Sequence, residues 1–452
     1  MSANRGAHAA PTRPRRRLPG PLLAALAVLI AAAAGLAVWG SRGAAGQAAG
    51  SAAAPGASSS VPASSAAAAS VPAAAASSGT SAGTSAEYRA VWITYLEYQQ
   101  MDLSGEDSFT AAITARFDRV KALGANTVIV HVRPFGDAMY RSSFFPWSHL
   151  LTGTQGQDPG YDPLAIMVRE AHSRGLRIEA MVNPYRVRGS KTLPAALSAD
   201  NPAAVWMAAS DRADRVIAQG DALWYNPALP EVQKLIVDGV REICQNYDVD
   251  GIQFDDYFYP EGADDSFDQT AYDELANGAD RAAWRRRNVD ALVRAVYAAV
   301  HDAKPSLTFG ISPQGNMDNN YNSQYSDVSA WMANSGYLDY VMPQIYWGFD
   351  YVTKGGNASF GFAGCLADWL ALPRADGVKL YVGLGAYRIG VGEGGSNDAA
   401  EWSSGENLAR QVAALRRAGA DGYGLYSWRW LFGADADSHA TAEIAALTAA
   451  NG

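Results

Sequence analysis

The chain has 452 residues, 36 Lys+Arg against 45 Asp+Glu, a net charge of −9, and two cysteines. Two cysteines exclude a disulfide-stapled scaffold and a four-thiolate zinc site. The acidic balance argues against a nucleic-acid partner, which calls for a basic face.

The charge is unevenly spread. Residues 1–86 hold six Arg, no Lys and no acid, so residues 87–452 carry 30 basic and 45 acidic residues, a net of −15. Residues 1–21 form a basic stretch containing Arg13, Arg15, Arg16 and Arg17. Residues 22–39 are an uncharged apolar run of 18, enough to cross a thin bilayer as a helix or to form the core of a signal peptide. The arginines in front of the run would stay cytoplasmic, so the chain beyond the run is expected to be exported. Residues 40–86 are almost entirely Ala, Ser, Gly and Pro. Such a stretch has too little apolar surface to bury and reads as a disordered linker. A tether needs something to hold it, which favours a transmembrane anchor over a cleaved signal. The folded part is expected outside the cytoplasm, anchored to the cell membrane or secreted.

From residue 87 onward, short apolar runs alternate with helical patterns. The runs are Tyr88–Leu96, Thr127–Arg133, Arg177–Asn183, Gly251–Asp255, Leu307–Ser312, Tyr340–Tyr346, Lys379–Gly385 and Gly422–Trp428. Most lack charge in their middles, as strands buried on both faces do. Helices are predicted over Phe109–Leu123, Pro163–Arg174, Glu231–Tyr247, Val289–His301 and Leu408–Ala418, several ending at a glycine. Eight strands interleaved with helices predict an α/β fold, a single (β/α)8 TIM barrel over residues 87–452, with extra residues in loops. No glycine-rich phosphate fingerprint follows the first strand, which argues against an open dinucleotide-binding sheet.

A barrel of this kind carries its chemistry at the C-terminal ends of its strands. Strand four ends in Asp255 and Asp256, adjacent carboxylates after an apolar run. Alternation puts Gln253 and Asp255 on one face, expected to be the barrel interior, and Phe254 and Asp256 on the other. Paired carboxyls, one with a raised pKa, are what glycoside hydrolysis requires. Asp255 and Asp256 are therefore the candidate catalytic residues, with Asp256 read as the general acid and Asp255 as a stabilising or orienting group. Strands five to eight end without an acid, so a further carboxylate is sought at Asp137, Glu97 or Glu393. Asp137 has a second reading as an ion-pair partner of Arg133. Glu179 lies deeper on strand three and reads as a core residue. Arg133, Asn183, Tyr185, Gln314, Gln344, Tyr346, Trp347 and Trp428 stand at or just beyond other strand ends. Rings stack on sugars and amides bond hydroxyls, so these are candidate substrate-binding residues. The six histidines show no paired ligand spacing, so neither a metal nor a cofactor is expected.

Four stretches carry a family resemblance: Gly124–Gly153, Gln157–Val187, YDVDGIQFDDYFYP (Tyr247–Pro260) and DYVMPQIYW (Asp339–Trp347). In this order they resemble the glycosyl-hydrolase-like family 10 domain, a bacterial cell-envelope group with a barrel fold. The resemblance covers Tyr88 to about Phe432. It implies a glycosidase acting on envelope glycan, most similar to those that cleave peptidoglycan strands stripped of their stem peptides. The DGIQFDDY stretch also resembles the DGxDxDxE strand of chitinase-type barrels, with Asp255 on the last Asp. Tyr257 stands where those enzymes keep a catalytic Glu, so their acetamido-assisted mechanism does not transfer directly. The expected function is hydrolysis of a cell-wall polysaccharide. The alternative is a non-catalytic glycan-binding barrel that positions other envelope enzymes.

Overall fold

The computed structural model describes residues 87–211, 213–393 and 398–452. The basic stretch, the apolar run and the linker lie outside the described residues. Among the described residues no helix is long and apolar enough to cross a membrane.

Eight parallel strands close into a barrel: β1 (Tyr88–Ile93), β2 (Thr127–Arg133), β3 (Arg177–Val182), β7 (Gly251–Phe254), β8 (Thr308–Ile311), β9 (Tyr340–Val341), β10 (Lys379–Gly385) and β11 (Gly422–Tyr426). Strand β1 pairs with both β2 and β11, which closes the ring. Between β3 and β7 the chain makes three further strands, β4 (Arg186–Arg188), β5 (Val216–Gln219) and β6 (Ala222–Tyr225), which form a small antiparallel sheet of order β4-β6-β5. The sequence pattern predicts only a loop there.

The helices pack outside through the stripes their periodicity predicts. In α1 (Glu106–Ala122), Phe109, Ile113, Phe117 and Val120 are buried. In α2 (Pro163–Ser173), Asp162 caps the first turn by accepting from the Ala165 amide. In α3 (Pro230–Asn246), Pro230 opens the helix and Val232, Ile236, Val240 and Ile243 are buried along one side. Helix α4 (Arg281–Ala303) starts before the predicted Val289, because Asp280 caps it and buried Arg285 pairs with Asp268. Two short helices, α5 (Met317–Asn322) and α6 (Val328–Ala333), come after β8. Helices α7 (Phe362–Ala371), α8 (Asn407–Ala418), α9 (Trp428–Phe432) and α10 (Ala440–Asn451) complete the chain.

The interior is filled by rings and amides. Tyr88, Ala90, Trp92, Ile129, Met181, Tyr340 and Met342 form one buried cluster inside the barrel. Gly310 leaves room for Tyr340, since a Cβ there would lie 2.0 Å from its ring. Gly424 does the same for Trp92. The polar atoms of these rings must be bonded when buried. Trp92 Nε1 donates to Gln253 Oε1 at 2.7 Å, Gln253 Nε2 donates to the Tyr340 hydroxyl at 3.1 Å, and Tyr340 donates to Glu179. Gln253 therefore faces inward, and residues two positions on face the mouth. The two cysteines are separate buried thiols.

Candidate active site

The mouth is built from the residues just beyond the strands. Asp255 and Asp256 stand at the end of β7, both partly exposed. Gln344 Nε2, beyond β9, donates to Asp255 Oδ1 at 2.9 Å and to the Ser312 carbonyl at 3.0 Å. Gln324, after α5, donates to Asp256 Oδ2 at 3.2 Å. Burial, then the neighbouring Asp256 carboxylate, pushes the Asp255 carboxyl well above the usual carboxylate range. Burial also raises Asp256, opposed by Gln324, by Asp255 and by Gln314. Two amides, Gln324 and Gln314, favour the ionised form of Asp256 against one, Gln344, at Asp255, and burial raises Asp255 further, so the proton of the pair belongs on Asp255.

The surroundings are aromatic. Tyr346 and Tyr426 stack at 5.7 Å between centroids, and both rings feel the Asp255 charge. Burial keeps both phenols protonated, so they are hydroxyl donors at any ordinary pH. Arg186 stands 4.5 Å over the Tyr257 ring and 6.0 Å over Tyr95. Burial works against its charge, but Tyr257, Tyr95 and Asp255 more than offset that. Trp224, from the inserted sheet, backs Tyr257 at 6.1 Å. At the floor, Asn183 Nδ2 donates to the Pro134 carbonyl, which turns Asn183 Oδ1 toward His131 Nε2 at 3.0 Å. That nitrogen therefore carries the proton. Burial lowers the His131 pKa to about 3, so the ring stays neutral.

On this geometry the comparisons with known proteins are decisive. The family model described as glycosyl hydrolase-like 10 matches residues 87–404. The chain belongs to the glycosyl hydrolase-like 10 family. It is 37% identical over 361 residues to glycosyl hydrolase YngK of Bacillus subtilis (strain 168), covering 75% of this chain and 67% of that protein. It is 36% identical over 302 residues to glycosyl hydrolase DigH of Escherichia coli (strain K12), covering 62% and 66%. The chain thus spans about two thirds of the length of these relatives. Two solved structures share the barrel at low identity. One is the PgaB (BpsB) glycoside hydrolase domain from Bordetella bronchiseptica, with TM-score 0.53, 15% identity, and coverage of 80% of this chain and 98% of that one. The other is the catalytic domain of β-amylase from Paenibacillus polymyxa, with TM-score 0.50, 12% identity, and coverage of 80% and 98%. Family membership makes the chain a glycosidase by class.

Within this glycosidase barrel, the sequence candidates divide. Asp255, Asp256, Asn183, Gln314, Gln344 and Tyr346 meet around the mouth. Trp347 joins them at the rim, where its ring lies against Gly315. Four others do not line it. Arg133 would follow His131 inward by alternation, but β2 shifts register between His131 and Arg133. The bulge pairs Arg133 with outward-facing Val182 and leaves it buried, 4.6 Å over the Phe145 ring. Tyr185 is fully buried in the outer core, and its neighbour Arg186 faces the site instead. Trp428 opens α9 rather than extending β11, and packs outward under Arg116 at 4.6 Å. Tyr426 takes the place expected of it. Asp137 accepts from His149 Nδ1 at 2.7 Å and Gln155 Nε2 at 2.9 Å, fully buried, with no ion pair to Arg133 among the described residues.

The two remaining acids are also engaged. Glu97 accepts from the Thr94 amide at 2.7 Å and the Arg429 amide at 2.9 Å, stitching the end of β1 to the start of α9. Glu393 is ion-paired with Arg388, whose guanidinium lies 4.5 Å over the Tyr387 ring. A carboxylate that sequence reasoning passed over lies closer. Glu261 is exposed, accepts from Gln314 Nε2 at 2.6 Å, and its charge contributes to raising Asp256. Its position five residues after Asp256, in the same loop, was the available signal. Among the described residues no group of His, Cys, Asp and Glu forms a metal site.

Proposed function

We propose that the protein hydrolyses glycosidic bonds of bacterial cell-wall glycan, specifically peptidoglycan strands lacking stem peptides. The observation that carries the reading is the Asp255–Asp256 pair, with raised proton affinity, in a mouth walled by Tyr346, Tyr426, Tyr257 and Tyr95. The envelope substrate is supported by the resemblance carried by the four motifs and by the apolar run and linker, which suit an exported, membrane-tethered enzyme.

In this mechanism Asp255 is the general acid and protonates the leaving glycosidic oxygen. This reverses the division of roles expected from the sequence. Asp256 stays ionised, and its charge holds the Asp255 proton until the bond breaks. Gln344 fixes the acid's rotamer, and the tyrosine hydroxyls bind sugar oxygens. In this reading Glu261, which accepts from Gln314, takes the proton of the water that adds to the anomeric carbon as the leaving oxygen departs with the Asp255 proton.

Incubation with intact and with peptide-free glycan strands tests the substrate. New reducing ends from the peptide-free strands are expected, with few or none from intact wall. Retention on the glycan without products would instead favour the non-catalytic binding barrel.

A further inference from the structure

A cavity of about 330 Å³ lies beside the mouth, between the segment after β10 and the segment after α9. Its lining combines two partly exposed rings, Tyr387 and Trp430, the exposed side chain of Val391, and the carboxylates of Asp435 and Asp437. This volume suits one sugar ring rather than an extended chain.

Each of the two carboxylates is held through one oxygen. Asp435 Oδ2 accepts from Gln100 Nε2 and Arg429 Nε. Asp437 Oδ1 accepts from the His439 amide at 2.9 Å and from His439 Nδ1 at 2.6 Å. Gly390, at φ +78°, brings its loop so close to Asp437 that a Cβ would lie 2.3 Å from the carboxyl carbon. Asp435 Oδ1 and Asp437 Oδ2 have no hydrogen-bond partner among the described residues. The two open oxygens are acceptors for sugar hydroxyls, and the aromatic faces beside them suit the axial hydrogens of a pyranose.

Tyr387 is shared between the cavity lining and the ring cluster at the mouth. The Tyr387 ring meets Tyr346 edge-on at 5.5 Å and Tyr426 at 6.3 Å, the two rings that flank Asp255. A glycan chain that lay over Asp255 and reached the cavity would pass these rings on its way. Among the described residues, the only charged lining groups are the two aspartates, one of them paired with Arg429. Like charge disfavours an anionic sugar there.

We infer that this cavity is a distal subsite for an uncharged pyranose unit of the glycan, and that it sets which sugar of an alternating neutral and acidic chain lies over Asp255. The inference rests on the hydrolase reading for its biological substrate, but the binding itself is separable from it.

Ala434 lines the cavity and is exposed, so Ala434→Trp fills the space without removing a contact. Trp430→Ala removes one wall. Kinetics on peptide-free glycan should show KM raised about tenfold in both variants, the scale of a lost aromatic contact with its burial, and kcat within about twofold of wild type. An unchanged KM in Ala434→Trp, with the thermal midpoint retained, overturns the subsite. Titration calorimetry with the uncharged N-acetylglucosamine hexamer separates the two ideas. Binding by a wild-type protein that cleaves nothing, lost in Ala434→Trp, keeps the subsite and ends the hydrolase reading. No hexamer binding by an actively cleaving wild type ends the subsite and keeps the hydrolase.

Discussion

Asp255 and Asp256 are chemically identical neighbours with different surroundings. Asp255 follows Gln253 on the inward face and meets Gln344, while Asp256 turns to Gln324 and, through Gln314, toward Glu261. Burial and a charged neighbour both raise Asp255, so its acid form persists to higher pH than an ordinary carboxyl allows. The alkaline limb of kcat/KM should report that group. Replacing Asp256 by Asn removes the neighbouring negative charge, so the Asp255 pKa falls and the limb moves to lower pH. The pH profile of Asp256→Asn checks this, and an unmoved limb would remove Asp256 from that role. The inward face of Asp255 was legible from alternation alone. Arg133 and Trp428 were not, because a bulge and a helix start interrupt the alternation that places them. Local backbone irregularity has no signature in residue type at either position.

At the scale of elements, the barrel interior is held by a polar chain linking β1, β7, β9 and β3: Trp92 to Gln253, Gln253 to Tyr340, and Tyr340 to Glu179. The chain fixes Gln253 two residues below Asp255, so it also fixes the strand end that presents the acid. Burial raises Glu179 to about 7, against the hydrogen bond from Tyr340, which lowers it. The folded state therefore binds the proton more tightly than the unfolded chain does. That stability is fully present below the ordinary carboxylate pKa and is lost as pH rises toward about 7. The loss amounts to roughly 3 kcal/mol for a shift of this size. Glu179→Gln keeps an acceptor for Tyr340 and cannot ionise. Thermal midpoints measured from pH 5 to 8 should fall less in Glu179→Gln than in wild type. Parallel falls would show that Glu179 does not govern this range. The core reading of Glu179 came from its depth on strand three, and its polar partners were invisible because they sit on other strands.

For the whole molecule, eight-fold alternation and four ordered motifs were enough to read the closed barrel and its family. The inserted sheet was missed because its strands, of three or four residues, are too short to show a period. Its contribution is local: Trp224 backs Tyr257 at the mouth. The surplus of tyrosine and tryptophan divides between two jobs. Tyr88, Trp92 and Tyr340 fill the interior, while Tyr95, Tyr257, Tyr346, Tyr426 and Trp347 wall the mouth. Behind both lies a charge asymmetry: an acidic folded part of net −15 and, before it, a basic stretch that holds no acid. Toward the proposed anionic wall glycan an acidic enzyme gains no long-range attraction, so recognition of it must come from contacts within the cleft.

The proposed mechanism stands on Asp255 delivering the proton that breaks a glycosidic bond. The direct test is the initial rate of reducing-end release from peptide-free glycan by wild type and by Asp255→Asn, with the thermal midpoint of each recorded. Wild type is expected to release ends, and Asp255→Asn to be slower by about two to four orders of magnitude with its fold intact. A folded Asp255→Asn that cleaves at a near-normal rate would contradict that role.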